Sequence, residues 1–127
     1  MATILVVDDD PDFVEITRTV LQSKGYDVST AANGKEALEV MKKEKPDLVL
    51  LDVMMSYVLD GLDVSETMSQ DPELKHIPLI MVSSLPSTRY ADMFPTDKYV
   101  AIDEWLSKPI KPDDLLEKVA RLIDART

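Results

Sequence analysis

Four short apolar runs, each leading to a polar residue, dominate the hydrophobic pattern of the chain. They cover residues 4–7, 48–51, 80–82 and 105–106. Runs of this length between polar residues are typical of buried strands in a parallel sheet. The polar residues that follow them and could carry chemistry are Asp8, Asp52, Ser83 and Lys108. Because ligands of open α/β sheets bind at the carboxyl ends of the strands, we expect these groups to meet at one edge of the sheet.

The segment after the first strand has the pattern of a helix. Asp10 suits the N-cap position and Pro11 suits the first helical position. The residues that recur at helical spacing after them, and that we expect to form the inward stripe, are Phe13, Ile16, Thr17, Val20 and Leu21. Gly25 is expected to stop this helix.

The middle of the chain continues the alternation of strands and helices. Residues 26–31 alternate and are rich in strand formers, so they predict an edge-like strand. Asn33 and Gly34 predict a turn. A second helix should end before Pro46, and its apolar stripe is formed by Ala37, Leu38 and Met41.

The third helix is predicted to be short, and the segment after the fourth strand is irregular. Residues 62–70 have helical spacing, with Met68 facing inward. In residues 85–103 the helical pattern fails, because Pro86 and Pro95 break any long helix. The fourth helix of the fold is therefore expected to be shortened or irregular.

A last helix completes the order of elements. It opens at Lys111 and Pro112, and its apolar face is formed by Leu115, Leu116, Val119, Leu122 and Ile123. Strands that alternate with helices imply a parallel sheet covered on both faces. We predict a doubly wound, flavodoxin-like α/β fold with five parallel strands in the order 2-1-3-4-5. Residues 1–127 would form one domain, and no output domain is seen.

Composition narrows the function classes. The chain has 127 residues, no cysteine, and no apolar run long enough to span a membrane. It carries 24 acidic and 14 basic residues, for a net charge of −10. This balance disfavours direct binding to nucleic acids through their phosphates. We expect a cytoplasmic protein without membrane attachment.

The clustered acids call for a separate explanation. Asp8 and Asp9 follow the first strand, and Asp52 ends the central strand. Carboxylates held close together repel one another unless a cation relieves them, and Mg²⁺ prefers such oxygen ligands. Asp52 could serve as a nucleophile, because aspartyl phosphates are known covalent intermediates. Ser83 and Lys108 could contact the phosphoryl oxygens as hydrogen-bond donor and point charge.

Each of these residues also has an ordinary structural explanation. Asp10 is best explained as a helix cap, and a lone aspartate at a strand end, such as Asp52, is usually a turn residue. A lone serine or Lys-Pro pair is usually part of a loop. The set of polar residues in this order, each at the end of a strand, is far more specific than any one of them.

Five stretches carry a resemblance to a known family. They are ILVVDDD at residues 4–10, LLDVMM at 50–55, DG at 60–61, PLIMVS at 78–83 and KP at 108–109. Through them the chain resembles, end to end, the receiver domain of two-component response regulators. The resemblance implies transfer of a phosphoryl group from a sensor histidine kinase or phosphotransfer protein to Asp52. It implies a switch in protein contacts rather than a turnover enzyme, with an unidentified protein as the downstream target.

The resemblance also implies a role for each site residue. Asp9 and Asp52 would bind Mg²⁺ through their side chains, Met54 through its backbone carbonyl, and Asp8 largely through water. Asp52 would be the site of phosphorylation.

The remaining site roles concern phosphate contact and switching. Ser83 would be the switch hydroxyl and Lys108 the lysine that contacts the phosphate. Trp105 stands where the family usually carries a switch aromatic.

The chain departs from the family pattern in three places. Ser56 replaces the usual proline, and the Asp-Gly pair comes one residue late, at Asp60 and Gly61. Residues 85–103 carry neither a full fourth helix nor the family's Gly-Ala pair. Because that face normally carries the signal, a degenerate receiver that binds a partner regardless of phosphorylation is the alternative prediction. An aspartate-nucleophile phosphatase is a further alternative, but Asp12 stands where that motif has Thr or Val.

Overall fold

A parallel sheet of five strands forms the centre of the chain in a computed structural model. The structure describes residues 2–52, 67–68, 70–83, 104–107 and 110–126. Its strands are β1 (Thr3–Val7), β2 (Asp27–Ala31), β3 (Leu48–Asp52), β4 (Leu79–Ser83) and β5 (Glu104–Ser107). Its helices are α1 (Pro11–Gln22), α2 (Gly34–Glu44) and α3 (Pro112–Arg126).

The strand order is β2-β1-β3-β4-β5, and every neighbouring pair is parallel. The predicted topology is therefore confirmed. The segment predicted to hold a shortened fourth helix lies outside the described residues. Of the predicted helix at 62–70, Thr67, Met68 and Gln70 are described and helical, and Met68 is fully buried.

The central strands β1, β3 and β4 are buried on both faces, as expected for parallel strands. Successive side chains of a strand point to opposite faces, so each of these three strands contributes to two apolar clusters. One cluster packs β1, β3 and β4 against α2 through residues such as Leu5, Leu51 and Met41. The other packs β1, β3, β4 and β5 against α1 and α3 through residues such as Ile4, Leu21 and Val119. The sheet is thus held between helices.

Helix α1 begins as the sequence predicts, but one residue of its predicted inward stripe is exposed. Asp10 is the N-cap and Pro11 starts the helix, which ends at Gln22. Thr17 and Leu21 are buried, whereas Ile16 is 65% exposed. Since neighbouring residues in a helix differ by about 100° of rotation, Ile16 lies well to the side of Thr17. The prediction that Ile16 belongs to the buried stripe was wrong.

Helix α2 begins earlier than the sequence suggested. Asn33 is its N-cap, and the Asn33 side chain accepts the Glu36 N–H at 2.8 Å. Gly34 is already the first helical residue, so the predicted Asn-Gly turn is a helix start. Asparagine three residues before a glutamate is a helix-start signal, and this signal outweighs the turn tendency of Asn-Gly. The helix ends before Pro46, as predicted, with Lys45 as C-cap in the left-handed conformation, φ 49°.

None of the helices within the described ranges is both long and apolar enough to cross a bilayer.

Candidate functional site

Three carboxylates meet at the carboxyl edge of the sheet. Val7 pairs with Leu51 in the register of β1 and β3. Asp8, one residue beyond β1, is therefore level with Asp52, the last residue of β3. Asp8, Asp9 and Asp52 each offer one carboxylate oxygen, and these oxygens lie within 4.8 Å of one another. The convergence expected from the sequence is thus present in the geometry of these three residues.

Burial raises the electrostatic cost of holding these carboxylates close together. Asp8 is 2% exposed and Asp52 is 3% exposed, while Asp9 is exposed. Two ionised carboxylates at this separation repel by roughly 3 kcal/mol or more at an effective dielectric constant of about 20. A divalent cation bound between them would turn that repulsion into attraction. The donor set is carboxylate oxygen throughout, which suits a hard cation such as Mg²⁺.

Hydrogen bonds fix the position of Asp8. Its backbone N–H donates to the carbonyl oxygen of Ala31 at 3.1 Å, which continues the pairing of β1 with β2 by one residue. Its Oδ1 accepts the backbone N–H of Asp10 at 3.0 Å. Both the backbone and the carboxylate of Asp8 are therefore held by neighbouring backbone groups.

The sequence predicts Asp10 as a helix cap but does not predict its contact with Asp8. The cap is confirmed, because Asp10 Oδ1 accepts the N–H groups of Asp12 at 3.0 Å and Phe13 at 3.4 Å. The second contact, from the Asp10 backbone, has a sequence signal. An aspartate side chain commonly accepts the backbone N–H two residues later, and Asp8 and Asp10 have this spacing.

The other predicted site residues are placed only in part. Ser83 is the last residue of β4, one position beyond Val82, which pairs with Asp52. Trp105 lies in β5 and pairs with Met81. The side chains of Ser83 and Trp105, and the whole of Met54 and Lys108, fall outside the described part of the chain. Their predicted roles remain predictions.

An apolar groove of about 440 Å³ lies beside the acidic cluster, between α1 and the start of α3. Its lining includes Phe13, Ile16 and Leu115, and Asp10 stands at its edge. Asp10 therefore borders the groove while its backbone contacts Asp8. The exposure of Ile16 is explained by its place in this open groove.

Comparison with known proteins identifies the family. The family model for the response regulator receiver domain matches residues 4–120. A curated relative, the DNA-binding response regulator MtrA of Mycolicibacterium smegmatis, is 34% identical over 124 residues. That match covers 94% of this chain and 50% of MtrA. The chain spans about half the length of the curated relatives it matches.

Solved structures agree with the sequence match. The chemotaxis response regulator CheY4 of Vibrio cholerae is similar with a TM-score of 0.84 and 32% identity, covering 96% of this chain and 98% of CheY4. The response regulator TrrA of Thermotoga maritima, in complex with Mg²⁺-BeF, has a TM-score of 0.81 and 34% identity, covering 96% of this chain and 99% of TrrA. Sequence, fold and the acidic edge of the sheet lead to the same family. The chain belongs to the receiver domains of two-component response regulators.

Proposed function

We propose that this receiver domain accepts a phosphoryl group on Asp52 from a sensor histidine kinase or a phosphotransfer protein. The observation that carries the proposal is the buried Asp52 carboxylate within 4.8 Å of Asp8 and Asp9, at the carboxyl edge of the sheet. This edge is where ligands of doubly wound folds bind. A structural role alone gives no reason to bury two like charges side by side.

Mg²⁺ is the proposed cofactor, since the three carboxylates fit a hard cation. Asp9 and Asp52 would bind it through their side chains, Met54 through its carbonyl, and Asp8 through water. When bound, the ion supplies positive charge that neutralises the phosphoryl oxygens and the carboxylates. The similarity to TrrA, whose structure holds Mg²⁺-BeF, supports this assignment.

In the proposed reaction, a carboxylate oxygen of Asp52 attacks phosphorus in line with the leaving nitrogen of a phosphohistidine. The O–P bond forms as the P–N bond breaks, and the imidazole leaves with the electron pair and takes up a proton. Lys108 would contact the transferred oxygens as a cation, and Ser83 would donate a hydrogen bond to them. The burial of Asp52 limits the access of competing water.

The output of the reaction would be a change in protein contacts. Ser83 and Trp105 would reorient after phosphorylation and shift the domain between two states. The domain would act in the cytoplasm on a protein target. Binding to DNA is a property that its name gives to MtrA, a protein of about twice this length. For the domain itself, with a net charge of −10, we propose no direct contact with nucleic acid.

A degenerate receiver that binds its partner regardless of phosphorylation is the second candidate. The absence of a regular helical pattern in residues 85–103 motivates it. The acidic cluster favours the first candidate, the receiver that is phosphorylated on Asp52. A module that only binds a partner has no use for three convergent carboxylates.

Labelling with acetyl phosphate separates the two candidates. We expect mass spectrometry to find one phosphoryl group on the wild-type chain, dependent on Mg²⁺ and lost with a chelator. Asp52→Asn should abolish the label, while Asp27→Asn, which removes the same charge from an exposed position of β2, should retain it. Circular dichroism would verify that both variants fold.

Two results would contradict the proposal. One is a label on another aspartate of the Asp52→Asn variant at the wild-type rate. The other is a folded wild-type chain that takes no label, which would favour the binding module.

A further inference from the structure

We propose that Asp10 is a positioning residue for the acidic site, through a relay from the cap of α1 to the carboxylate of Asp8. The Asp10 side chain holds the first turn of α1, and the fixed Asp10 backbone in turn holds the Asp8 carboxylate. The inference deepens the proposed function and rests on the proposed binding of Mg²⁺ at this site.

Hydrogen bonds of both its side chain and its backbone hold Asp10 in place. The side-chain Oδ1 of Asp10 accepts the N–H groups of Asp12 and Phe13 at 3.0 and 3.4 Å. Its carbonyl oxygen accepts the N–H of Val14 at 3.1 Å, the first bond of the helix. The residue has φ −93° and ψ 107°, the extended conformation of an N-cap. The next residue, Pro11, has a φ restricted by its ring, which further limits the freedom of the junction.

This backbone conformation directs the Asp10 N–H at Asp8. The N–H donates to Asp8 Oδ1 at 3.0 Å, and Asp8 is 2% exposed. A hydrogen bond to one carboxylate oxygen sets the rotation of the whole group and therefore the direction of its other lone pairs. Outer partners of this kind orient metal ligands, and their loss typically lowers metal affinity about 10- to 100-fold.

The relay can be separated from the charge of Asp10. Asp10 is an acid near the site, so its negative charge could attract a cation regardless of the cap. Asparagine caps helices about as well as aspartate and carries no charge, whereas alanine neither caps nor carries charge. If the cap geometry acts, Asp10→Asn should resemble the wild type and Asp10→Ala should not.

The chain also offers a matched control for general loss of helix stability. Asn33 caps α2 through a 2.8 Å bond from the Glu36 N–H. Helix α2 packs on the opposite face of the sheet from α1. Asn33→Ala should thus lower the melting temperature by roughly 3 to 6 °C, as Asp10→Ala should, without changing metal affinity.

The experiment is calorimetric titration of Mg²⁺ into the whole chain and the variants Asp10→Ala, Asp10→Asn and Asn33→Ala. We expect Asp10→Ala to bind Mg²⁺ about tenfold more weakly than the wild type. Asp10→Asn and Asn33→Ala should bind within about twofold of the wild type, since each keeps the relay. Amide hydrogen exchange in the metal-free proteins should be faster at residue 10 in Asp10→Ala than in Asp10→Asn.

The outcomes separate this inference from the proposed function. Equal losses in Asp10→Ala and Asp10→Asn would assign the effect to charge and overturn the relay. Equal losses in Asp10→Ala and Asn33→Ala would assign it to general destabilisation, and unchanged affinity in Asp10→Ala would also overturn it. Failure of the folded wild-type chain to bind Mg²⁺ would instead remove the proposed function on which the inference rests.

Discussion

We expect the buried charges of Asp8 and Asp52 to lower the stability of the metal-free protein. The strand ends bring the two carboxylates together with Asp9 within 4.8 Å, and Asp8 and Asp52 are almost completely buried. Without a cation, folding must concentrate this negative charge at one edge of the sheet. The free energy of unfolding of the metal-free protein should therefore rise when one of the charges is removed.

We predict that Asp52→Asn stabilises the metal-free chain by about 1 to 3 kcal/mol, because it removes the repulsion between Asp52 and its two neighbours. Asparagine has nearly the same shape, so packing at the end of β3 is preserved. The measurement is urea denaturation in the presence of a chelator.

Asp27→Asn is the control for the stability effect of Asp52→Asn. It makes the same change in net charge at an exposed position of β2 and should alter stability by less than about 0.5 kcal/mol. A metal-free Asp52→Asn variant less stable than the wild type would show that the Asp52 charge is well compensated within the folded protein.

The residues of the acidic cluster were within reach of sequence reasoning, whereas the Asp10 amide was not assigned. Each aspartate follows an apolar run whose strand character is plain, so its place at the edge of the sheet follows from topology. The contact from the Asp10 N–H to Asp8 depends on backbone angles that the helix cap imposes. The spacing of Asp8 and Asp10 permits this contact, but many residue pairs share that spacing, so spacing alone does not select the pair that forms it.

Helix α2 is capped at its C-terminal end by the one non-glycine residue with positive φ among the described residues. Lys45 has φ 49° and ψ 67°, and its N–H donates to the Met41 carbonyl at 2.9 Å. A side chain with a Cβ is disfavoured in this left-handed conformation by about 1 to 2 kcal/mol. Glycine is the residue usually found at such a helix end.

We predict that Lys45→Gly raises the free energy of unfolding by roughly 0.5 to 1 kcal/mol. The gain in stability is smaller than the full cost of a Cβ in the left-handed conformation, because glycine also gives the unfolded chain more conformational freedom. Lys45 has an ion pair with Glu73 at 3.9 Å, but both side chains are more than half exposed, so the pair contributes little.

Lys45→Ala, measured by the same urea denaturation, separates the backbone from the ion pair. It removes the charge and keeps the Cβ, so stability should stay within about 0.5 kcal/mol of the wild type. If alanine and glycine give the same change, the left-handed conformation of residue 45 is not a source of strain.

Element boundaries were predicted well where the signal is strong and poorly where two signals compete. The short run at Trp105 and Leu106 was enough to predict β5, since a buried parallel strand needs only a few apolar residues. Asn33 and Gly34 satisfy both a turn and a helix start, and the Glu36 N–H decides in favour of the helix. Ile16 matches the helical spacing of the other apolar residues of α1 but is exposed. Helical spacing alone does not show which apolar residues of a helix are covered by neighbouring elements.

The topology of the whole molecule was the most predictable property. Strands that alternate with helices favour a parallel sheet, and right-handed crossovers leave few orders for five such strands. The order β2-β1-β3-β4-β5 is one of the few that these constraints allow. The same order places β1 and β3 side by side, and it is this adjacency that joins Asp8 and Asp9 to Asp52.

The net charge of −10 and the acidic cluster lead to a prediction about the stability of the whole chain in salt. Any salt should stabilise the metal-free protein modestly, because it screens repulsion among the acidic groups. Mg²⁺ should stabilise it further by binding the folded state alone. Above its dissociation constant, each tenfold increase in Mg²⁺ should add about 1.4 kcal/mol, which for a domain of this size corresponds to roughly 3 to 6 °C in melting temperature.

Melting curves in MgCl₂ and in NaCl at matched ionic strength separate specific binding from screening. The wild-type chain should melt at a higher temperature in MgCl₂ than in NaCl, and Asp52→Asn should lose this difference while keeping the response to NaCl. The variant keeps Asp8 and Asp9, so any remaining excess in MgCl₂ measures what those two carboxylates bind alone. An excess as large in Asp52→Asn as in the wild type would place the bound cation away from β3, and Asp52 would then need another reason for its burial.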